Sequence, residues 1–369
     1  MKNNHAEVYV KLRDRMNSLG FGYGPTEDGS EFGVLEWFFT PEDAAHHLEM
    51  EIDRFFTAED YAKISKRTVD EAAGILEDMS MRGLIYRRKL ENNVKEYRVM
   101  PIAHGVVEFN VDKADISWVA SSGKHAAAVW GKQWFGSDIP LARSVPVDTD
   151  IVVENQILPS DDAMEIINSH KLFAVSDCLC RVEAAVGGGY DDPRKNCCVA
   201  FDDMARFYLD VGIGRELTKQ QTVDLIKESI DMGLVIHVAN SKEVELMCSC
   251  SIDSCALLQM TKVFGGPATK HVSHYRLAVD DGKCDGCKIC VERCPVKACA
   301  IDERNKSVFE AEHCVGCGQC VKTCPQQARI LAKKSDDEIA KMPDTLFDAY
   351  IEMQESRKNS GEISCSAKE

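Results

Sequence analysis

Between Cys284 and Pro325 the chain repeats one pattern, C-D-G-C-K-I-C-V-E-R-C-P and then C-V-G-C-G-Q-C-V-K-T-C-P. Each copy is Cys-x2-Cys-x2-Cys-x3-Cys-Pro, and nineteen residues separate Cys294 from Cys314. Eight thiols at this spacing constrain the fold more than any apolar pattern, because two intervening residues let a tight turn aim successive sulfurs at one centre. Gly286, Gly316 and Gly318 permit such turns, and Pro295 and Pro325 stiffen the backbone after the last cysteine of each copy. Structural zinc also draws on Cys-x2-4-Cys pairs, but in groups of four ligands. The doubled eight-cysteine run favours iron–sulfur chemistry over zinc.

Over about residues 276–332 the sequence resembles the bacterial two-cluster ferredoxins, whose cysteine run it carries twice. The resemblance implies a βαββαβ fold, two 4Fe-4S clusters and one-electron transfer. In that family the fourth cysteine of each copy reaches across to the other cluster. It therefore implies Cys284, Cys287, Cys290 and Cys324 around one cluster, and Cys314, Cys317, Cys320 and Cys294 around the second. Cys299, between the two halves, is expected to pack near a cluster.

The chain has 369 residues, long enough for two or three domains. Its seventeen cysteines, with no charged-then-apolar leader, point to thiols kept reduced for metal rather than to disulfides, and so to the cytoplasm. The cluster load suggests an anaerobe. No run of eighteen apolar residues occurs, so no transmembrane segment is expected. A net charge of -16 opposes nucleic acid, whose phosphates need a basic surface. The acidity lies outside the cysteine runs, since Asp280 to Arg329 holds eight acidic and eight basic residues.

Residues 1–115 contain no cysteine. A helix is expected from Val8 to Leu19, then a glycine-rich loop from Gly20 to Gly33. Thr57-Ala-Glu-Asp and Thr68-Val-Asp-Glu each read as an N-cap with an acidic first turn, giving helices to about Lys66 and Arg82. Gly83 stops the second, and two short strands flank the turn signal Glu91-Asn-Asn. Two helices and a hairpin resemble a winged helix. The hairpin carries Arg87, Arg88, Lys89, Lys95 and Arg98. The helix that would read a groove, however, presents Asp70, Glu71, Glu77 and Asp78, which phosphates repel. Docking or homodimerisation is therefore expected of this part in preference to DNA binding.

Residues 116–146 lack a clear period and read as a connector, with Trp118, Trp130, Trp134 and Phe135 packing it against a neighbour. A strand is expected from Ile151, a helix from Asp161 and a strand over Lys171–Ser176. Asn196-Cys-Cys-Val-Ala-Phe is read as opening a helix past Tyr208. A helix from Thr218 to Met232 and a strand over Leu234–Ala239 complete a small α/β domain. Seven cysteines fall here: Cys178 and Cys180, Cys197 and Cys198, then Cys248, Cys250 and Cys255. Three readings stay open: a third 4Fe-4S cluster, a structural zinc, or small buried hydrophobes.

The words C-L-C-R, N-C-C-V-A-F, G-I-G-R-E-L-T, G-L-V-I-H and C-S-C-S-I-D-S-C, ahead of the doubled run, resemble a family of multidomain iron–sulfur proteins of anaerobes over roughly residues 95–350. Members usually carry Cys-Pro-Cys-Arg, a single cysteine before Leu-x-Phe and a denser third group. Here Leu179 replaces the proline and the third group is thinner. By position the resemblance favours Cys180, Cys198, Cys250 and Cys255 as ligands, with Cys178 and Cys248 as substitutes and Cys197 as packing. It implies electron transfer beside a redox enzyme. Arg181 is expected either to hydrogen-bond a cluster sulfide or to pair with Asp177 or Glu183 at the surface.

No phosphate-binding Gly-x4-Gly-Lys-Ser/Thr loop and no Gly-x-Gly-x2-Gly after a strand is present. A helix over about 336–357 carries Ile339, Met342, Leu346, Phe347 and Tyr350 on one side, enough to dock on the ferredoxin unit or a partner. Cys365 reads as a free thiol in a polar tail. The expected architecture is α+β and multidomain: a winged-helix-like unit at 1–115, a cysteine-rich α/β unit at 116–275, a ferredoxin-like unit at 276–332, and a helix and tail at 333–369. The expected function is electron relay through two or three clusters to a partner oxidoreductase, with no catalytic residue named. A redox-sensing winged-helix regulator and an oxidoreductase subunit with a catalytic cluster in the middle unit are the alternatives.

Overall fold

The computed structural model describes residues 6–130, 133, 139–147, 159–263, 273–339 and 341–363. Trp134, Phe135, the strand expected from Ile151, and Cys365 lie outside them. Helices α1 (Glu7–Ser18), α2 (Ser30–Phe38) and α3 (Pro41–Glu49) precede the pair α4 (Ala58–Ser65) and α5 (Val69–Met81). The last three each begin at a capping box. Thr40, Thr57 and Thr68 accept from the backbone N–H three residues on, and Asp43, Asp60 and Glu71 return the bond, satisfying donors that a helix start leaves orphaned. Gly83 ends α5 at φ 72°, where a Cβ would meet the Phe109 carbonyl at 2.9 Å. Strands β1 (Tyr86–Lys89) and β2 (Lys95–Arg98) then pair antiparallel. α1, α4, α5 and the hairpin stand where the sequence places them, whereas α2 begins at Ser30, inside the stretch expected to be a glycine-rich loop.

The stretch expected to be an irregular connector contains α6 (Ile116–His125), capped by Asp115, and the edge strand β3 (Ala142–Val145). Trp118 is fully buried, 5.5 Å from the Phe38 ring and 6.0 Å from Trp37, so α6 packs against α2. After β3 come α7 (Ala163–Ser169), β4 (Phe173–Asp177), α8 (Leu179–Val186), β5 (Asn196–Phe201), α9 (Asp202–Asp210), β6 (Gly214–Leu217), α10 (Lys219–Asp231), β7 (Val235–Ala239), β8 (Leu246–Cys250) and α11 (Ala256–Val263). The strands form one sheet in the order β3-β7-β8-β5-β4-β6, every pair antiparallel. The alternation of helices and strands therefore does not build parallel crossover units. Residues 196–201 are a central strand rather than a helix start; the run Cys-Val-Ala-Phe is buried between β8 and β4, and the helix begins only at Asp202.

The C-terminal part follows as β9 (Tyr275–Val279), α12 (Ile289–Arg293), β10 (Cys299–Ile301), β11 (Ser307–Phe309), α13 (Gln319–Lys322) and β12 (Arg329–Lys333), the βαββαβ order. β9 pairs with β12 and β10 with β11, both antiparallel. The last helix, α14 (Leu346–Asn359), starts ten residues later than expected, at the Thr345 cap. It docks on the N-terminal part, not on the cysteine runs: Tyr350 Oη donates to the His104 carbonyl at 2.7 Å and Arg357 Nη1 to the Asn17 carbonyl at 2.6 Å. A continuous apolar core links α1, the hairpin, α9 and α14. Phe207 on α9 lies 4.8 Å from Phe109 and 5.1 Å from Tyr86.

Candidate metal centre

Each cysteine run folds as a turn followed by a short helix. Gly286 and Gly316 sit at φ 75° and 64°. A Cβ at Gly286 would run into the Asn305 carbonyl and one at Gly316 into Ser273, so both positions require glycine. The turns bring Cys284, Cys287, Cys290 and Cys324 around one small cavity, and Cys294, Cys314, Cys317 and Cys320 around a second. Four thiolate donors facing each cavity fit a cubane cluster, and the donor that closes each set comes from the other run. Backbone and side-chain donors already face the sulfurs. The Ser307 N–H donates to Cys284 Sγ at 3.3 Å, Ala298 N–H to Cys294 Sγ at 3.2 Å and Ala328 N–H to Cys324 Sγ at 3.4 Å. Such bonds stabilise the reduced, more negative cluster and raise its potential. Residues 283–328 match the 4Fe-4S dicluster domain. No curated protein matches the chain.

The dicluster domain makes this an iron–sulfur protein with an electron-transfer role. Among the described residues, no helix is long and apolar enough to cross a membrane. A buried charge stands at the start of β12, one residue past the matched segment. Arg329, 2% exposed, donates from Nη1 to Cys299 Sγ at 3.1 Å and to Cys320 Sγ at 3.2 Å, and from Nη2 to Ser307 Oγ. Ser307 Oγ in turn lies 3.1 Å from Cys290 Sγ. The guanidinium thus bonds two sulfurs of the second cavity directly and reaches Cys290 of the first through Ser307. Burial works against its charge, but the sulfurs of Cys320, Cys299 and Cys290 raise its pKa. The signal was present in the repeat. Cys299 and Arg329 each stand five residues after the fourth cysteine of their half. Cys299 is therefore the counterpart of a buried cation, not packing alone.

The middle cysteines gather around the strand register. Ser144, His237, Cys248, Cys198 and Ser176 are consecutive cross-strand partners from β3 to β4 and share one face of the sheet. Cys198 and Cys248 stand 3.6 Å apart, sulfur to sulfur, and Cys250 lies two residues along on the same face. Cys178 contacts Cys180 and Cys198, and Cys180 contacts Cys255. All six line one cavity, so the four favoured by position and their two substitutes are equally placed. Among the described residues, no three ligand-type side chains converge on a single-ion site. The ferredoxin cysteines share that property, so it does not separate zinc from a cluster.

Cys197 stands outside this cavity, at a register shift between β4 and β5. Its sulfur accepts from Arg181 Nη1 at 2.6 Å. Arg181 is 1% exposed and pairs with Asp192 at 3.2 Å, so it meets neither Asp177 nor Glu183 at the surface. His237 bonds Ser144 Oγ at 3.1 Å, and His170 bonds Asp202 at 2.8 Å while stacking on Phe201.

The two cysteine regions touch. Cys250 and Cys255 share an apolar cluster with Val235, Leu258, Val315 and Cys317. Polar contacts hold the interface: Val147 N–H donates to the Cys317 carbonyl at 3.0 Å, and Gln319 Nε2 to the carbonyls of Ile230 and Leu234 at 2.9 and 2.8 Å. Asp161 accepts from Arg143 Nε at 2.9 Å, His274 Nδ1 at 2.7 Å and Tyr275 Oη at 3.1 Å, tying β3 to β9 in a fully buried network.

Proposed function

We propose that the chain relays single electrons to or from a partner oxidoreductase through a line of three 4Fe-4S clusters. The first is held by Cys284, Cys287, Cys290 and Cys324, the second by Cys314, Cys317, Cys320 and Cys294. The third is held by four of the middle cysteines, Cys180, Cys198, Cys250 and Cys255 by position, with Cys178 and Cys248 as substitutes. The single observation that carries this order is the packing of Cys250 and Cys255 against Val315 and Cys317. It supports an order in which the middle site stands next to the second cluster and Cys287, exposed, is the ligand of the first through which a partner is reached. Iron and sulfide analysis of anaerobically purified protein tests the reading: about twelve irons support three clusters, and about eight contradict the third. Zinc in the same sample would favour the metal alternative at the middle site.

The unit at 1–115 is, in this reading, a winged-helix-like docking element, available for a homodimer, and the protein works in the cytoplasm. A DNA-binding regulator is disfavoured by the fate of the hairpin's charges. Arg87 pairs with Glu77 and Asp210, Lys95 with Glu77 and Arg88 with Glu96. Arg98 is buried over the rings of Phe55 and Phe347. A low-salt gel shift with pooled genomic DNA is expected to show no competitor-resistant complex; such a complex would restore the regulator.

A further inference from the structure

The cavity beside the middle cysteines is larger than a cluster site requires. The two ferredoxin cavities are each about 20 Å³, whereas this one is about 130 Å³. The sulfur wall occupies one side. The space continues away from it toward α6 and the segment 102–108, where Val107, Glu108, Ser122, Glu183 and Tyr208 line it. Less a share like that of each ferredoxin cavity, about 110 Å³ is left for a ligand, on the order of the roughly 150 Å³ apolar cavity that takes benzene.

The backbone over this space is unusual. Ile102–Val106 is a kinked segment closed by Val106 N–H to the Pro101 carbonyl at 3.2 Å and Val107 N–H to the Ile102 carbonyl at 3.0 Å, and His104 within it adopts φ 48°, ψ 53°, a left-handed conformation that costs a non-glycine residue on the order of 1–3 kcal/mol and clusters at functional sites. The Tyr350 hydroxyl on α14 clamps the His104 carbonyl at 2.7 Å, and the Gly105 N–H donates to Glu108 Oε2 at 2.8 Å. The far wall is thus pinned by the last helix of the chain.

We propose that this cavity binds a small uncharged organic molecule bearing one polar group, seated between the 102–108 segment and the third cluster. The inference rests on the three-cluster reading and adds to it a ligand next to the last cluster. Charge decides the ligand class. No lysine or arginine lines the cavity among the described residues, and burial lowers the pKa of His104 and of His125, so an anion would find little counter-charge. Burial pushes the Glu108 carboxyl up to about 8, so near neutral pH it serves as a hydrogen-bond donor more than as an anion, and pushes the Glu183 carboxyl up to about 7. Asp177 and the cluster's own negative charge would draw a cation to the sulfur wall, but at the 102–108 end, where the ligand sits, the largely protonated Glu108 offers little to replace its hydration.

The test uses the full chain, purified anaerobically and assayed for iron, with benzyl alcohol, benzoate and benzylammonium as probes of one size and three charges. The readouts are calorimetric binding and the change each probe makes in the paramagnetic resonance spectrum of the reduced protein. In material with about twelve irons, benzyl alcohol should bind at least tenfold more tightly than either ion and should perturb one of the three cluster signals. Ser122→Phe, which fills the far side, should weaken that binding at least tenfold with the iron content kept; Val107→Phe serves the same purpose if the first variant does not fold. Twelve irons with no binding, with benzoate or benzylammonium bound as well, or with binding unchanged in the filled variant would overturn the inference and leave the third cluster standing. About eight irons would overturn the three-cluster reading and the inference together.

Discussion

Arg329 is one of two side chains whose removal should read out most directly in solution. It sits between sulfurs of both ferredoxin cavities, and a fixed positive charge there favours the reduced state. Replacing it with methionine keeps the volume and removes the charge. Arg329→Met should keep about eight irons in the dicluster domain and lower the potential of the second cluster by on the order of 60 mV, the one-electron equivalent of a tenfold shift. An unchanged potential in a redox titration would remove the charge from the account. Glu108 belongs to the same scale. Its carboxyl rises from 4.5 to about 8 by burial. Between those values the folded chain keeps a proton that the unfolded chain has released, so stability should fall as pH rises from about 4.5 to about 8. Glu108→Gln cannot ionise and should flatten that decline in denaturant titrations at several pH values; the same slope in the variant would refute the assignment.

Among the elements, the sequence spoke clearly where the signal is local. The cysteine spacing, the threonine caps of α4 and α5 and the hairpin turn each depend on residues within a few positions, and each element stands where those residues put it. The sheet depends on pairing at long range. β8 was not foreseen, because Leu246-Met-Cys-Ser-Cys shows no alternation once its cysteines are read as ligands. β5 reads as a helix start because a strand buried on both faces has no period to betray it. The cavity was invisible for a similar reason: Glu108, Ser122 and Glu183 come from three separate segments. The junction of β3 with β9 depends on Asp161, whose carboxyl burial would raise but which His274 and Arg143 hold below its ordinary value. Asp161→Ala leaves Arg143 buried and unpaired, and should cost about 3–5 kcal/mol in chemical denaturation. A loss under 1 kcal/mol would mean the network is not what joins the two regions.

At the scale of the whole molecule, the N-terminal, middle and dicluster parts are held together by shared packing. The helix α14 crosses back to the N-terminal part, and the same apolar core contains α1, the hairpin and α9. The dicluster domain is joined to the sheet through Cys317, Gln319 and Asp161. This joins three groups of cysteines, with Cys287 exposed in the first and a lined cavity beside the third. The measurement that tests this arrangement most directly is a reductive titration of the anaerobic protein alongside iron analysis, repeated on the double variant Cys250→Ser, Cys255→Ser. The account predicts about twelve irons and three electrons taken up by the parent, falling to about eight irons and two electrons in the variant. A parent that holds about eight irons and takes up two electrons, unchanged by the substitutions, would contradict it.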